Sequence, residues 1–560
     1  MPPTAIQRTD ATAIRWIDAT AIRWIDALAA CAAAPADPPA PDAPALLRRW
    51  HPDAQPNATE PLRVGASAGM RCPPALAALL QANTLIDDVD VAGAAVVETD
   101  VLVIGGGGGG CVAALTAVAA GRKVLVVTKF GLGDSNTVMA EGGIQAAVGA
   151  EDSLQAHYDD TLAGGQRAGD PTLVRTLVSE GPAAIRWLIG QGMTFDLDES
   201  GHNLRRKRAG GTSVPRILST RDVTGLELMR VLREATLLRP GITVWNRSPA
   251  VELLSDAAGR CRGAVIYSLY LHRFVTVRAG AVILTTGGAG RLHINDFPTS
   301  NHLGATADGL VLAYRLGATL REVDSFQYHP TGVAWPRALR GQLISEAARS
   351  LGAQLRNGRG ERFVPELSPR DVVAAAMLRE IGEGRGVERD GCVGVLLDTP
   401  GLERARPGVL AQSLVSLGHV AHKSGVDPVR EPMLVCPTLH YQNGGIAIAA
   451  DGATGVPGLF CAGEVAGGIH GRNRLMGNAL LELVVFGRRA GAAAAGLAQA
   501  AGPGGRANLD HVQDWRRALV AAGLPLDARA PLLFPEIANF DLTADRAPHR
   551  APHRAAAVAA

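Results

Sequence analysis

The chain has 560 residues, of which 47% are hydrophobic and 19% are charged, a balance typical of globular proteins. A chain of this length predicts two or three domains with a large apolar core. The formal net charge of +2 is close to zero, which argues against a nucleic-acid-binding surface. Seven dispersed cysteines without a CxxC pair argue against an iron–sulfur cluster or structural zinc, so the sequence predicts no metal site.

The two ends of the chain have compositions that do not suit a packed core. The octapeptide "ATAIRWID" occurs twice in succession, at 11–18 and 19–26, and an Ala/Pro/Asp-rich run follows at 30–45. The repeat is either an amphipathic interaction helix or a slippage duplication, and we favour the duplication. We expect residues 1–97 to form a largely disordered N-terminal extension.

No apolar run reaches the roughly 18–20 residues that span a bilayer, so we expect no direct membrane span. Asp10, Asp18 and Asp26 interrupt every candidate signal peptide near the N-terminus. The sequence therefore predicts a cytoplasmic protein.

The central region alternates between strand and helix patterns. The run "DVLVIG" (100–105) is typical of a parallel strand buried on both faces, "GCVAALTAVAAG" (110–121) has helical spacing, and "KVLVVT" (123–128) predicts a second strand. Glycine-rich turns also follow apolar runs at 281–290 and 458–468, and residues 477–500 predict a long helix. The pattern predicts an α/β fold.

Six consecutive glycines connect the first strand to the first helix. Gly105, Gly107 and Gly110 satisfy G-x-G-x-x-G, the spacing that brings a dinucleotide pyrophosphate close to a helix N-terminus. Thr128 and Lys129 occupy the place at the end of the second strand where an acid usually stands. This departure argues against a simple NAD site.

Seven motifs occur in a fixed order over about 400 residues: "VIGGGGGG", "TKFGLGDSNTVMAEGGIQAA", "TTGGAG", "ATADGL", "FQYHPTG", "PRDVV" and "HGRNRLMGNALLELVVFGRRAG". On these motifs the chain from about 98 to 500 resembles the succinate dehydrogenase/fumarate reductase flavoprotein family, of the soluble or thiol-linked type, with L-aspartate oxidase as a close relative. The resemblance implies a Rossmann-like FAD-binding domain (98–324 and 436–500), interrupted by an α+β capping domain (325–435). A short helical C-terminal region with a disordered tail (501–560) is expected to follow.

The resemblance also implies the residues that bind FAD. They are Gly105, Gly107, Gly110, Thr128, Lys129, Ser135, Asn136, Thr137, Gly142, Gly143, Gly287, Gly288, Asp308, Glu464, Asn478, Ala479 and Leu480. Asn136 stands where the membrane-complex members have a histidine bonded covalently to the flavin. Because an amide nitrogen is not nucleophilic, we expect FAD to be bound non-covalently.

The same resemblance implies a site for a C4 dicarboxylate. Arg370 matches the catalytic proton donor, with Glu346 and Arg349 as its proton relay, and His329, Ser345, His440 and Arg474 match residues that bind the substrate carboxylates. An arginine rarely releases a proton, so a purely electrostatic role for Arg370 is the alternative. Glu346 and Arg349 could also form a mere surface ion pair.

The segment 208–225 separates the family members. L-aspartate oxidases carry a glutamate where Ala209 stands, and histidines where Thr212 and Ser219 stand. A substrate ammonium would find no carboxylate at Ala209, so we favour interconversion of fumarate and succinate over L-aspartate oxidation.

In the favoured reaction, flavin N5 exchanges a hydride with one carbon while Arg370 protonates the other. An iron–sulfur partner subunit or a soluble carrier is expected to exchange electrons with FAD. A non-catalytic flavin-binding paralogue is the third hypothesis.

Overall fold

In the computed structural model, residues 21–30, 37–38, 40–86, 93–501 and 507–536 are described. The largest sheet has seven strands, and its core is parallel. In order, the strands are Ala250–Ser255, Cys261–Ser268, Arg273–Leu284, Ala95–Ile104, Val124–Val127 and Ile242–Trp245, with Leu459–Cys461 beside Arg273–Leu284.

The predicted βαβ unit lies at the centre of this sheet. Val101 through Ile104 pair in parallel with Val124 through Val127, and the helix Gly108–Ala119 connects the two strands. The long helix Asn478–Ala501 packs against Gly108–Ala119 and against the sheet. The carboxyl ends of the central strands therefore lie near the N-termini of two helices. The predicted α/β fold is confirmed.

A second sheet of six strands lies over the first one's glycine-rich edge. Its strands are Ile22–Arg23, Val387–Arg389, Cys392–Asp398, Met433–Gln442 and Phe326–Val333 in that order, with Gln354–Arg356 beside Cys392–Asp398. The helix Arg370–Gly382 packs on this sheet. The strand Met433–Gln442 crosses the boundary predicted between residues 435 and 436, so a domain border at that point is wrong: the sheet holds the strand together up to Gln442.

The remaining helices surround the two sheets. They are Trp24–Ala30, Ala43–Trp50, Pro74–Leu80, Leu154–Gly164, Pro171–Gly190, Thr224–Leu238, Asp308–Arg315, Ala347–Ser350, Thr399–Ala405, Val409–Ser413, Val415–Ser424 and Asp510–Ala521. Short 3₁₀ turns occur at Pro52–Ala54, Gly290–Leu292, Ile294–Asp296 and Arg337–Leu339. In the described ranges, no helix combines the length and apolar character needed to cross a membrane.

Small sheets complete the fold. One joins Leu320–Arg321, Gly445–Ala447 and Ala466–Gly467. The others are pairs: Glu60–Pro61 with Arg71–Cys72, Asn83–Thr84 with Arg529–Ala530, and Ile144–Gln145 with Ile217–Leu218.

The expectation of a largely disordered N-terminal extension is wrong for residues 40–86. Asp42 caps the helix Ala43–Trp50, and Leu46 of that helix is buried against the second sheet. Leu62 and Leu76 are buried in the core beneath the first sheet. The Ala/Pro/Asp composition misled the prediction, because Pro and Asp here begin a helix whose leucines have a core to pack against.

Within the second copy of the octapeptide, residues 21–26 are described, and Ile22 and Arg23 pair with Val387 and Glu388. The first copy, at 11–18, lies outside the described residues. At the other end, residues 507–536 contribute the helix Asp510–Ala521 and the strand Arg529–Ala530. The tail from residue 537 likewise lies outside the described part of the chain.

Candidate active site

One cavity of about 630 Å³ lies between the glycine-rich edge of the first sheet and the second sheet. At one end it is lined by the predicted cofactor residues Gly105, Gly107, Thr128, Lys129, Ser135, Asn136, Thr137, Gly142, Gly143, Gly287, Asp308, Glu464, Ala479 and Leu480. At the other end it is lined by the predicted substrate residues His329, Ser345, Glu346, Arg370, His440 and Arg474. Four of the predicted residues do not line the cavity: Gly110, Gly288, Arg349 and Asn478.

Two of these four are glycines whose lack of a side chain allows close packing. A Cβ at Gly110 would lie 1.9 Å from the carbonyl oxygen of Gly105, which itself has a φ of +119°. A Cβ at Gly288 would lie 2.8 Å from Oε1 of Glu464. The tight turn leaves backbone and a helix N-terminus facing the cavity, an arrangement that fits a dinucleotide pyrophosphate.

Lys129 makes three contacts at the cofactor end of the cavity. Its Nζ donates to Oγ1 of Thr306 at 2.7 Å, to Oδ2 of Asp308 at 2.6 Å and to the carbonyl oxygen of Leu533 at 2.7 Å. Lys129 and Asp308 thus neutralise each other in the wall. The same lysine attaches the C-terminal segment to the cavity.

Both polar atoms of the Asn136 side-chain amide form hydrogen bonds within the protein. Its Nδ2 donates to Oδ1 of Asn301 at 2.8 Å and to Oε2 of Glu464 at 3.1 Å, and its Oδ1 accepts from the backbone N–H of His302 at 2.6 Å. Burial raises the pKa of Glu464 above its ordinary value. These bonds hold the amide in one orientation at the cavity wall.

The N-terminus of the helix Asn478–Ala501 points at the cavity through Ala479 and Leu480. The side chain of Asn478 turns away from it, with Oδ1 3.0 Å from Nε2 of His157 and Nδ2 donating to Thr161 Oγ1 at 3.1 Å. The residue therefore fixes the helix start, while the positive end of the helix dipole faces the cavity.

Arg370, Glu346 and Arg349 form a buried chain of charges. Nε of Arg370 donates to Oε2 of Glu346 at 2.8 Å, and Nη2 of Arg349 donates to the same oxygen at 3.2 Å. Burial would raise the pKa of Glu346, but the charges of Arg370 and Arg349 lower it to about 2. The alternative of a surface ion pair is wrong, because the side chains of Glu346 and Arg349 are at most 1% exposed.

His329 and His440 both line the cavity, and their rings are in edge contact with centroids 5.1 Å apart. Burial, together with the positive charge of Arg370, holds the pKa of both imidazoles well below the ordinary value, so both are neutral near pH 7. Nδ1 of His440 lies 2.9 Å from Oγ of Ser300. Strand pairing skips from Gln327–Tyr441 to Tyr328–Leu439, so His440 is the extra residue of a bulge that aims it at the cavity.

Gln327 is a site residue that the sequence analysis missed. Its Oε1 accepts from Nη1 of Arg370 at 2.9 Å and from Nη2 of Arg474 at 3.0 Å. Its Nε2 donates to Oδ1 of Asn473 and to the backbone oxygen of Arg474. A signal was present in the sequence, because Gln327 stands two residues before His329 and such residues share one face of a strand.

The substrate end carries buried positive charge. Arg370, Arg349 and Arg474 contribute three guanidiniums, and Glu346 is the side-chain carboxylate hydrogen-bonded to Arg370 and Arg349. The carboxyl groups of Glu366, Glu464 and Glu482 act on Arg349 or Arg474 without a side-chain hydrogen bond to them. Burial and the nearby Arg370 lower the pKa of Arg474 to about 10. An anionic ligand such as a carboxylate would suit this group, because buried guanidiniums are stabilised by anions that accept their hydrogen bonds.

Ala209 lies beside the substrate end of the cavity, where the backbone N–H of the next residue, Gly210, donates to Oε1 of Glu346 at 2.9 Å. Ala209 is buried with Ile217 and Met476, and Oγ1 of Thr212 donates to the Ala209 carbonyl oxygen at 2.8 Å. The alanine brings no carboxylate to the site. Across the described ranges, no group of three or more His, Cys, Asp and Glu side chains could hold a metal ion.

The glycine packing predicts that Gly110→Ala purifies with much less bound dinucleotide than the unaltered protein. The added methyl group meets the Gly105 carbonyl oxygen, so the loop must open. The dinucleotide content per chain, read from the absorbance of the heat-released cofactor, measures the effect. Gly496→Ala is the matched control, because a Cβ there meets nothing within 4 Å; equal cofactor content in both variants would contradict the prediction.

Comparison with known proteins agrees with this geometry. The FAD binding domain family matches residues 100–480. A fumarate reductase (CoM/CoB) subunit of Methanothermobacter marburgensis is 41% identical over 410 residues, 71% of this chain and 72% of that protein. L-aspartate oxidase of Streptomyces coelicolor is 38% identical over 456 residues, 77% of this chain and 75% of that protein.

Solved structures give the same result. A chain of the E. coli quinol fumarate reductase, FrdA, is similar with a TM-score of 0.69 and 31% identity, covering 76% of this chain and 74% of that chain. Sdh1 of Mycobacterium smegmatis is similar with a TM-score of 0.64 and 36% identity, covering 76% of this chain and 73% of that chain. The chain therefore belongs to the succinate dehydrogenase/fumarate reductase flavoprotein family, which also includes L-aspartate oxidase, and is an FAD-dependent oxidoreductase.

Proposed function

We propose that this protein interconverts fumarate and succinate. The observation that carries the proposal is the group of three buried guanidiniums, Arg370, Arg474 and Arg349, to which a single side-chain carboxylate, Glu346, is hydrogen-bonded. A C4 dicarboxylate would add anionic partners for them. The similarity to the M. marburgensis fumarate reductase chain supports it. The side chain of Ala209 has no carboxylate, which favours this reaction over oxidation of an amino acid, whose ammonium would need a carboxylate there.

Each substrate-site residue has a task in this proposal. Arg474 and His440 hold one carboxylate of the substrate, and His329 with Ser345 holds the other. Because burial keeps both imidazoles neutral, each can donate one hydrogen bond without adding charge. Bound FAD supplies or accepts the electron pair of the reaction. The cofactor end of the cavity, from the loop Gly105–Gly110 to Leu480, would hold it.

Arg370 is the proposed proton donor to the substrate carbon. Its Nε and Nη1 are committed to Glu346 and Gln327, and among the described residues Nη2 has no hydrogen-bond partner. Nη2 is therefore the nitrogen available to the substrate. Glu346 and Arg349 form the proposed route by which the proton is replaced, and burial favours such a transfer by lowering the pKa of Arg349.

Electrons must reach or leave FAD through a partner. We propose an iron–sulfur protein or a soluble electron carrier for this task, since the described cysteines are all buried and free: Cys72, Cys111, Cys261, Cys392, Cys436 and Cys461. The M. marburgensis relative is by its name one subunit of a larger enzyme, which supports a partner subunit.

We predict that FAD is bound without a covalent link. Asn136 offers only an amide at the position of the family's flavin-linked histidine, and that amide is engaged with Asn301, Glu464 and His302. Acid precipitation of the purified protein is expected to leave the yellow colour in the supernatant. A yellow pellet that survives washing would contradict the prediction.

The substrate assignment predicts which compounds change the flavin spectrum. Fumarate is expected to reoxidise the reduced protein and succinate to bleach the oxidised protein, whereas L-aspartate leaves the spectrum unchanged. Stopped-flow absorbance of the flavin measures all three. Bleaching by L-aspartate with release of peroxide would identify an aspartate oxidase, and no response to any dicarboxylate would favour a flavin-binding protein without this catalysis.

The proton-donor assignment predicts that Arg370→Ala lowers kcat for fumarate reduction about 100-fold or more while FAD stays bound. Arg370→Lys keeps the charge but loses the two-point attachment to Glu346 and Gln327, so it is expected to be nearly as slow. Steady-state rates with a reduced dye measure both. Arg430→Ala, at an exposed arginine, is the control, and substantial rescue by lysine would indicate an electrostatic role instead.

A further inference from the structure

An aspartate from the N-terminal segment contacts the strand that carries two residues of the substrate site. Asp53 lies in the 3₁₀ turn Pro52–Ala54, well before residue 100, where the match to the FAD binding domain family begins. Its side chain is only 4% exposed. Burial removes the hydration of a carboxylate, so a buried carboxylate needs hydrogen-bond donors within the protein.

Asp53 accepts two short hydrogen bonds from the strand Phe326–Val333 and a longer one, 3.5 Å, from Nδ2 of Asn295. Oδ2 of Asp53 accepts the backbone N–H of Phe326 at 2.8 Å, and its Oδ1 accepts the hydroxyl of Tyr328 at 2.8 Å. Nδ2 of Asn295 donates to the same hydroxyl oxygen at 3.1 Å. The carboxylate thus binds the first and third residues of the strand at once.

The residues between and after these two belong to the substrate site. Phe326 and Tyr328 pack in the large core, whereas Gln327 bonds to Arg370 and Arg474, and His329 lines the cavity. Any slide or rotation of the strand start would move Gln327 and His329 together. The Asp53 contact therefore restrains the position of both side chains.

We propose that Asp53 is a positioning residue, which holds the start of the strand Phe326–Val333 so that Gln327 and His329 stand correctly for substrate. The consequence for turnover rests on the proposed function, because it assumes a dicarboxylate bound at these residues. The restraint on the strand itself does not depend on which substrate the enzyme uses.

The charge state of Asp53 gives the proposal a pH signature. Burial raises the pKa of Asp53 to about 7, against the effects of Phe326 N–H, Tyr328 and Arg472. His51 in its own segment and Asp324 near Arg472 complete the titratable surroundings, and burial keeps His51 neutral. Above this pH the ionised carboxylate accepts both bonds fully, and below it the protonated group offers one carbonyl oxygen, as asparagine would.

The experiment compares wild type, Asp53→Ala, Asp53→Asn and Asp42→Ala as purified holoenzymes. Asp42 caps a helix in the same segment and is exposed, so Asp42→Ala controls for general loosening of the N-terminus. Hydrogen exchange followed by mass spectrometry reads the strand peptide 326–333. Steady-state kinetics with fumarate give KM and kcat separately.

Asp53→Ala is expected to exchange about tenfold faster in that peptide and to have a KM about tenfold higher, with kcat changed less than about threefold. Asp53→Asn is expected to have an exchange rate and a KM between those of wild type and Asp53→Ala. The ratio of its KM to the KM of wild type is expected to grow as the pH rises through about 7. Asp42→Ala is expected to match wild type in both readouts. Tyr328→Phe removes one of the two bonds and replaces Asp53→Ala should that variant not fold, with an intermediate effect expected.

Two results would overturn the inference: unchanged exchange and KM in Asp53→Ala, or equal changes in Asp42→Ala. A ratio of the KM of Asp53→Asn to the KM of wild type that does not change with pH would also count against the inference. Should the wild type turn over no dicarboxylate, the proposed function fails, while the exchange data still decide whether Asp53 holds the strand.

Discussion

Arg370 and Arg474 are two buried guanidiniums that share one neutral acceptor, Oε1 of Gln327. Like charges so placed repel each other, and burial removes the water that would screen them. Glu346 forms hydrogen bonds to Arg370 and Arg349 but not to Arg474. These guanidiniums make the substrate end of the cavity suited to an anionic ligand, and the surrounding packing serves to keep these groups in place.

The substrate end and the cofactor end of the cavity are connected by shared chain segments and by hydrogen bonds. Arg474 lies four residues before Asn478, where the long helix begins, and Ala479 and Leu480 of that helix line the cofactor end. Across the cavity, Glu464 bonds to Asn136 in the cofactor loop and to the backbone N–H of Gln442, which follows His440 by two residues. A group bound at one end therefore contacts segments that also shape the other.

The motifs assigned to the cofactor contribute most of the lining at one end of the cavity, because each motif folds locally. A glycine loop between strand and helix determines its own turn, so Gly105 and Gly110 could be assigned from spacing alone, and the structure shows why a Cβ at Gly110 would not fit. Spacing in the sequence places Gln327 on the same strand face as His329, but it does not predict the bonds of Gln327 to Arg370 and Arg474, which lie 43 and 147 residues away. Residues 40–86 were also misjudged, since composition says nothing about whether a core is available to receive leucines such as Leu76.

The residue types alone establish which chemical groups stand at each matched position. Asn136 has no nucleophilic ring and Ala209 has no carboxylate, and no fold can supply either group to those side chains. Which groups meet became known only from the folded chain: one amide oxygen serves two arginines, Glu346 is buried and ionised, and Asp53 reaches a strand 273 residues later. The physical reason is that hydrogen bonds and charge interactions act over a few ångströms, and chain folding alone brings distant residues within that range.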